Sequence, residues 1–254
     1  MRRGIEFILR STICSFFMLA QSCLDSATWA ALQTQLTGDW HSSMAAIAAS
    51  GFSELVAENH RRNFLLWHEE DIARRNDLGF ERVFQAKRSI DRYNDERNDF
   101  IERMDKVLAT ALQPAASGCP RHSETPGMII DRLSILALKV YHMNEEVGRP
   151  GAAAEHREAC AAKLARIIQQ REDLTQCLAE LLLDVATHRR TFAVYHPFKM
   201  YNDPDLNPQL YGNSPAGSAL ESSSAVEAAS PRRRPGAEIP PASHPASFDE
   251  TAAW

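Results

Sequence analysis

The 254-residue sequence lacks the features that define several broad classes of protein. Its five cysteines form no CxxC pair and no disulfide-style ladder, which favours free thiols in a reducing compartment. No apolar run reaches the roughly 18–20 residues of a membrane helix, so the sequence predicts no integral membrane segment. The net charge of −5 argues against a chain that coats nucleic acid, so nucleic acid is not an expected partner.

Motifs of common catalytic sites are also missing. The sequence contains neither a glycine-rich phosphate loop nor a nucleophile elbow, and it has no pair of Glu-x-x-His motifs for a di-metal bundle. The run HEED at 68–71 resembles a metal cluster, but neighbouring helical residues point about 100° apart and cannot all bind one ion. The sequence therefore identifies no catalytic residue, no metal ligand and no cofactor, and Mg²⁺ enters only under an alternative given below.

The two ends differ in composition from the middle. Residues 1–24 have a basic start, a short apolar run and a small-x-small sequence at 20–22, as a secretory signal has. The shortness of the run and Glu6 argue against a signal, and a translation start at Met18 is a competing interpretation. We therefore expect a cytoplasmic protein, with export as the alternative. Residues 213–254 are rich in alanine, serine and proline and are predicted to be a disordered tail.

The segment between these ends, residues 25–212, is predicted to form one all-α domain, an antiparallel bundle of about five helices. The predicted helices span 26–49, 53–77, 80–112, 125–146 and 152–190. Ser53 is a candidate N-cap, and Thr125 followed by Pro126 predicts a sharp helix start. The fourth helix is apolar on most sides, which predicts a central position. Residues 191–212 are rich in aromatics and prolines and are predicted to form an extended strap over the bundle.

Three predicted helices carry polar residues on faces that otherwise point to the core. The stripe on the third helix contains Phe80, Val83, Lys87, Ile90, Asn94, Ile101, Leu108 and Leu112. Burial of such groups without partners would cost several kcal/mol, so they must pair with one another or with a ligand. Two interpretations stay open: a buried network that fixes helix register, or a polar pocket for a charged or polyhydroxylated ligand.

Several of these polar positions fall in blocks that resemble the bacterial domain-of-unknown-function 4254 family. The blocks are NFLLWHEED at 63–71, KRSID at 87–91 with Asn94 and Arg97, SETPGMIIDRLSIL at 123–136, LKVYHM at 138–143 and FKMYNDP at 198–204. The resemblance covers about 30–212 and implies a mostly helical cytosolic protein. Members of that family tend to be encoded near glycosyltransferase and surface-polysaccharide genes.

The leading hypothesis is a binding or accessory protein of bacterial surface-glycan assembly, with a polar pocket for a sugar-phosphate or nucleotide-sugar. Cationic side chains would hold the anion, Trp67 would stack on a ring, and acidic side chains and His142 would line the pocket. The candidate ligand-binding residues are Asn63, Trp67, Asp71, Lys87, Asp91, Asn94, Arg97, Glu124, Asp131, Arg132, His142, Lys199 and Asn202.

Two alternatives belong to other functional classes. The first is an all-α Mg²⁺-dependent phosphohydrolase that uses Glu70, Asp71, Asp91 and Asp131, since Mg²⁺ needs carboxylates that converge from different helices. The second is a non-enzymatic scaffold that binds a glycosyltransferase through exposed helix faces.

Overall fold

A computed structural model describes residues 25–44 and 46–195 and confirms the all-α bundle. The helices are α1 (Ser26–Ser42), α2 (Phe52–Ala73), α3 (Gly79–Leu112), α4 (Pro126–Gly148) and α5 (Ala154–Ala186), with a 3-10 turn at Asn76–Leu78. These residues contain no β-strand, and the one bridge joins Arg121 to Thr191. The predicted leader at 1–24 and the predicted tail at 213–254 lie outside the described residues.

The sequence signals set some helix ends correctly and others wrongly. Thr125 caps α4 by accepting a hydrogen bond from the Met128 amide at 3.3 Å, and Pro126 opens the helix as predicted. The prediction that Ser53 caps α2 is wrong, because Gly51 precedes that helix with φ +65°. α1 ends at Ser42 rather than at 49, and α5 ends at Ala186 rather than at 190.

α4 is the central helix, as its apolar surround predicts, and it packs against α1, α2, α3 and α5. Its buried side chains join those of α3 and α5 in the main core, for example Ile130, Leu133, Leu108 and Leu182. A second apolar cluster forms where α1, α2 and α4 meet and contains Leu36, Trp40, Ala57, Phe64 and Leu138, with Trp67 packed against it.

α3 and α4 approach each other closely at Gly127. Its amide donates a hydrogen bond to Oδ1 of buried Asp105 at 2.7 Å. A Cβ at this position would lie 2.7 Å from that oxygen and 2.7 Å from the carbonyl oxygen of Ile101. No side chain larger than that of glycine fits here without a shift of neighbouring atoms. The Asp105 carboxylate also provides an acceptor for one of the free amides in the first turn of α4.

The start of α3 does not face the core, which corrects the predicted stripe. Phe80 is 82% exposed and stacks on Phe84 with ring centroids 6.0 Å apart. Lys87 is also exposed. The buried positions of α3 begin only at Ala86, so its first turns project beyond the core.

The chain after α5 begins the predicted strap. The Thr191 amide donates to the Pro120 carbonyl at 2.9 Å, and Phe192 is 4% exposed within the main core. Residues from 196 onward, including Lys199 and Asn202, lie outside the described residues. Over the part of the chain that the structure describes, no helix is both long and apolar enough to cross a bilayer.

Candidate functional site

Asn63 and Asp131, two of the predicted ligand-binding residues, are buried and bonded to each other. Asn63 Nδ2 donates to Asp131 Oδ1 at 2.8 Å and to Ser134 Oγ at 2.9 Å. Asn59 Nδ2 donates to the same Asp131 oxygen at 3.0 Å. These hydrogen bonds join α2 to α4. They correspond to the interpretation in which buried polar residues form a network that fixes helix register.

The network continues through His60 to α1. The Thr37 hydroxyl donates to the Gln33 carbonyl at 2.8 Å, so it accepts from His60 Nε2, 2.9 Å away. His60 Nδ1 then accepts from the Ser134 hydroxyl at 2.7 Å. Burial, together with the nearby charge of Arg171, lowers the pKa of His60 to about 3. The neutral ring is thus a donor on one side and an acceptor on the other.

The outer edge of this network keeps unused hydrogen-bonding capacity. Arg97 reaches it from α3, with Nε 3.8 Å from Asp131 Oδ1. Within the described ranges, Arg97 Nε and Asn59 Oδ1 are buried without a hydrogen-bond partner. Asn94 is half-buried one helical turn from Arg97. Arg97 and Asn94 are therefore the predicted residues that retain capacity for a ligand here.

Four further predicted residues, Asp71, Asp91, Glu124 and Arg132, form separate surface ion pairs. Asp71 lies 3.8 Å from Arg74, and Asp91 lies 3.8 Å from Arg88. Glu124 receives two hydrogen bonds from Arg132, at 2.7 and 2.9 Å. Exposed pairs of this kind contribute little to stability.

The carboxylates of the magnesium alternative are not assembled. Glu70 pairs with Arg74 at 3.1 Å, and Asp131 is held in the buried network. In the described ranges, Glu70, Asp71, Asp91 and Asp131 do not converge into a ligand group. No observation in these residues supports Mg²⁺ binding by that set.

A cluster of three histidines lies where α1, α2 and α4 meet. His41 comes from the last turn of α1, His68 from α2 and His142 from α4. One ring nitrogen of each lies within 4.8 Å of a ring nitrogen of the other two. Of the three, only His142 is among the candidate residues identified from the sequence.

The hydrogen bonds of the three rings leave their Nε2 atoms available. His41 Nδ1 donates to the Thr37 carbonyl and His68 Nδ1 to the Phe64 carbonyl, both at 2.7 Å. His142 Nδ1 donates to Glu145 Oε2 at 2.9 Å. In the described part of the chain, Nε2 of His41 and of His142 is buried without a partner. Histidines that bind metals typically use one nitrogen for the ion and donate the other N–H to an oxygen in this way.

Aromatic side chains fix the orientation of the rings. Trp67 stacks on His142 with centroids 4.8 Å apart and an interplanar angle of 8°. Tyr141 stacks on His41 at 3.9 Å and 17°, and Phe64 meets His68 at 4.4 Å. Each imidazole therefore packs against an aromatic ring of α2 or α4, and Phe64 and Trp67 also belong to the second apolar cluster.

The surroundings of His142 favour the neutral form of its imidazole. Burial lowers the pKa of His142, and the nearby His41 and His68 lower it further, while Glu145 opposes the shift. Neutral imidazole is the form that binds a metal ion. The carboxyl end of α1 carries the negative end of that helix dipole, which favours a cation beside His41.

No spacing of residues along the chain indicates this cluster. His68 appears in the HEED run, but its partners lie on other helices and not beside it in the chain. His41 lies one turn after Thr37 at the end of a helix that the apolar pattern extends past it. Only the packing of α1 against α2 and α4 brings it to the other two.

The fold and the cluster together define a helical-bundle protein in which three histidines converge. The chain belongs to the family described as protein of unknown function (DUF4254), whose model matches residues 53–194. This confirms the resemblance in the sequence blocks. The match includes His68 and His142, whereas His41 precedes it. Comparison with curated proteins and with solved structures gave no match.

Proposed function

We propose that this protein binds a divalent transition metal ion, best fitted by zinc, through Nε2 of His41, His68 and His142. The observation that carries the proposal is that each Nδ1 is already bonded to an oxygen while the rings converge. Zinc–nitrogen bonds of about 2.0–2.1 Å require nitrogens about 3.3 Å apart in a tetrahedron, so small side-chain shifts close the site.

The number of ligands favours a reactive or ligand-binding ion over a purely structural one. Structural zinc sites use four protein ligands, whereas catalytic sites use three and leave one position for water or substrate. The described residues offer three nitrogens at this cluster. The fourth position would take a water molecule, whose pKa the ion would lower, or an anionic oxygen of a ligand.

The ligand we propose is a sugar-phosphate or nucleotide-sugar used in bacterial surface-glycan assembly. A phosphate oxygen suits the open metal position, and the half-buried Trp67 beside His142 offers a face for a sugar or base. Arg97 and Asn94 supply polar capacity between α2, α3 and α4. The family resemblance and its gene association support the glycan part of the proposal.

Calorimetric titration of zinc into the metal-free full chain tests the metal, and His68→Ala and His142→Ala are the informative variants. Each variant should lose one equivalent of zinc relative to the wild type. His188→Asn is the matched control, since His188 is exposed and has the left-handed φ of +54° that Asn tolerates. Equal stoichiometry in all four proteins would contradict the proposal.

Thermal-shift measurements on the zinc-loaded chain test the ligand class. Nucleotide-sugars or sugar-phosphates should raise the melting temperature of the wild type and should have less effect on Trp67→Ala. No shift with any of them, in protein that binds zinc, would remove the ligand proposal and leave the metal proposal intact.

A scaffold for a glycosyltransferase is the second candidate function, and exposed aromatics favour it. Phe80 and Phe84 are 82% and 45% exposed, stack on each other, and carry the Arg88 guanidinium 5.3 Å above the Phe84 ring. Exposed aromatics beside arginine are enriched at protein interfaces. Phe80→Ser should abolish binding to a purified glycosyltransferase partner without a change in zinc stoichiometry. Unchanged partner binding would contradict the scaffold.

A further inference from the structure

The turn between α4 and α5 brings a carboxylate, an imidazole and a thiol together. Glu146 lies in the last turn of α4, and His156 and Cys160 lie one turn apart on α5. The donor atoms of these three residues all lie within 4.8 Å of one another. They share no residue with the three-histidine cluster, so this group is an independent observation.

The contacts converge on one nitrogen of His156. Its Nε2 lies 3.0 Å from Glu146 Oε2 and 3.4 Å from Cys160 Sγ. A nucleophile–base–acid triad would place the nucleophile and the carboxylate on the two different nitrogens of the ring. Here the same nitrogen of His156 contacts both the carboxylate and the thiol, so the three residues are not arranged as a catalytic triad. Three donors facing a common point fit a metal ion.

The positively charged side chain of Arg149 contacts two of these three residues. One of its Nη atoms lies 3.1 Å from Glu146 Oε2, and the other lies 3.4 Å from His156 Nε2. A guanidinium only donates hydrogen bonds, so this Nη can donate to His156 Nε2 when that nitrogen carries no proton. Its long, half-exposed side chain can leave without disturbing the core.

The burial of the three donors is graded. Cys160 is 7% exposed, whereas the side chains of His156 and Glu146 are 41% and 40% exposed. The thiol therefore forms the floor of the site and the other two donors its solvent side. Cys160 is a free thiol, and a thiolate with an imidazole selects zinc-class ions over Mg²⁺ or Ca²⁺.

We propose that Glu146, His156 and Cys160 form a second site for a zinc-class ion, separate from the histidine cluster. Binding forms a bond from Sγ to the metal and releases the thiol proton to solvent, with no change in oxidation state. The ion displaces the Arg149 guanidinium from the carboxylate, and solvent completes the coordination.

Cobalt spectroscopy on the full chain tests this site, because a thiolate–cobalt bond gives a charge-transfer band in the near ultraviolet and a three-histidine site does not. The wild type should show this band, and Cys160→Ser should lose it. The exposed Cys177 provides the matched control, since Cys177→Ser should keep the band. His68→Ala should also keep it, which separates this proposal from the function proposed above.

Because Cys160 is buried, its replacement could unfold the protein, so variants of the more exposed ligands provide a second test. His156→Gln and Glu146→Gln alter half-exposed side chains and should weaken cobalt binding at least tenfold with the melting curve preserved. Arg149→Gln should strengthen it several-fold, because the competing cation is gone. A folded wild type without the band, or a band that survives in Cys160→Ser, would overturn the proposal.

Discussion

The backbone carbonyl of Thr37 accepts a hydrogen bond from Nδ1 of His41 at 2.7 Å. The hydroxyl of the same Thr37 lies 2.9 Å from Nε2 of His60. Thr37 therefore joins the buried polar network to the three-histidine cluster. The network fixes the register of α1, α2 and α4, and that register places one histidine from each helix at a common point.

Replacement of Thr37 tests this connection. Thr37→Val leaves the buried His60 Nε2–H without an acceptor, which should lower the free energy of unfolding by about 1–3 kcal/mol. Thr37→Ser keeps the hydroxyl and is the matched control. Urea denaturation measures the loss, and zinc titration should show weaker binding in the valine variant. Equal stability of the two variants would show that the hydroxyl makes no contribution.

Acidification should destabilise the protein through His60. The pKa of this ring is lowered to about 3 in the folded state, from the ordinary histidine value of 6.5. Its contribution is therefore present above pH 6.5 and is lost as the pH falls from there toward 3. The loss between neutral pH and pH 4 should be about 3 kcal/mol. His60→Gln should remove this component of the slope in urea denaturation at a series of pH values.

Asp105 should act in the opposite direction. Burial raises the pKa of its carboxyl to about 6, although hydrogen bonds from Thr125 and Gly127 oppose the shift. A raised carboxyl pKa means that the folded state gains stability as the pH falls from about 6 toward 3.8, by about 2 kcal/mol. Asp105→Asn should abolish this gain, so it should be more sensitive to acid than the wild type. An unchanged pH profile would contradict the assignment.

A methyl group at Gly127 should be costly. The added Cβ would meet Asp105 Oδ1 and the Ile101 carbonyl oxygen, both at 2.7 Å, and the carbonyl is backbone that cannot turn away. Gly127→Ala should lower the free energy of unfolding by about 1–3 kcal/mol. Gly38→Ala in α1 has open space and should instead gain about 0.5–1 kcal/mol from helix propensity. Chemical denaturation of the pair checks both signs.

The carboxylate behind His142 should tune metal affinity. Glu145 Oε2 accepts from His142 Nδ1 at 2.9 Å and so orients the nitrogen that faces the other histidines. Glu145→Gln should weaken zinc binding about 10–100-fold, the range seen for outer-shell partners. Glu180→Gln, which alters an exposed carboxylate on α5, should leave the affinity unchanged. Competition with a chelator measures both constants.

The local signals of the sequence predicted the fold well. The Thr125–Pro126 pair marks the start of α4, and the apolar surround of that helix marks its central position because both depend on neighbouring residues alone. The exposure of Phe80 and Lys87 depends on where α3 leaves the core, which is a property of the packed bundle. A helical wheel uses only the sequence of α3, so it continues the predicted core-facing stripe beyond the residue at which the helix leaves the core.

The candidate site was only partly predictable for the same reason. Asn63 and Asp131 stood out because polar groups on an apolar stripe need partners, and the structure pairs them with each other. His41, His68 and His142 belong to three helices and share no fixed spacing. Their convergence depends on helix register, which a single-helix pattern does not contain.

Anomalous scattering from a crystal of the zinc-loaded full chain tests the central claim most directly. We expect a peak at the zinc edge about 2.0–2.1 Å from Nε2 of His41, His68 and His142, with a fourth, non-protein ligand. The absence of a peak among these three rings, in a crystal where they keep their positions, would contradict the account.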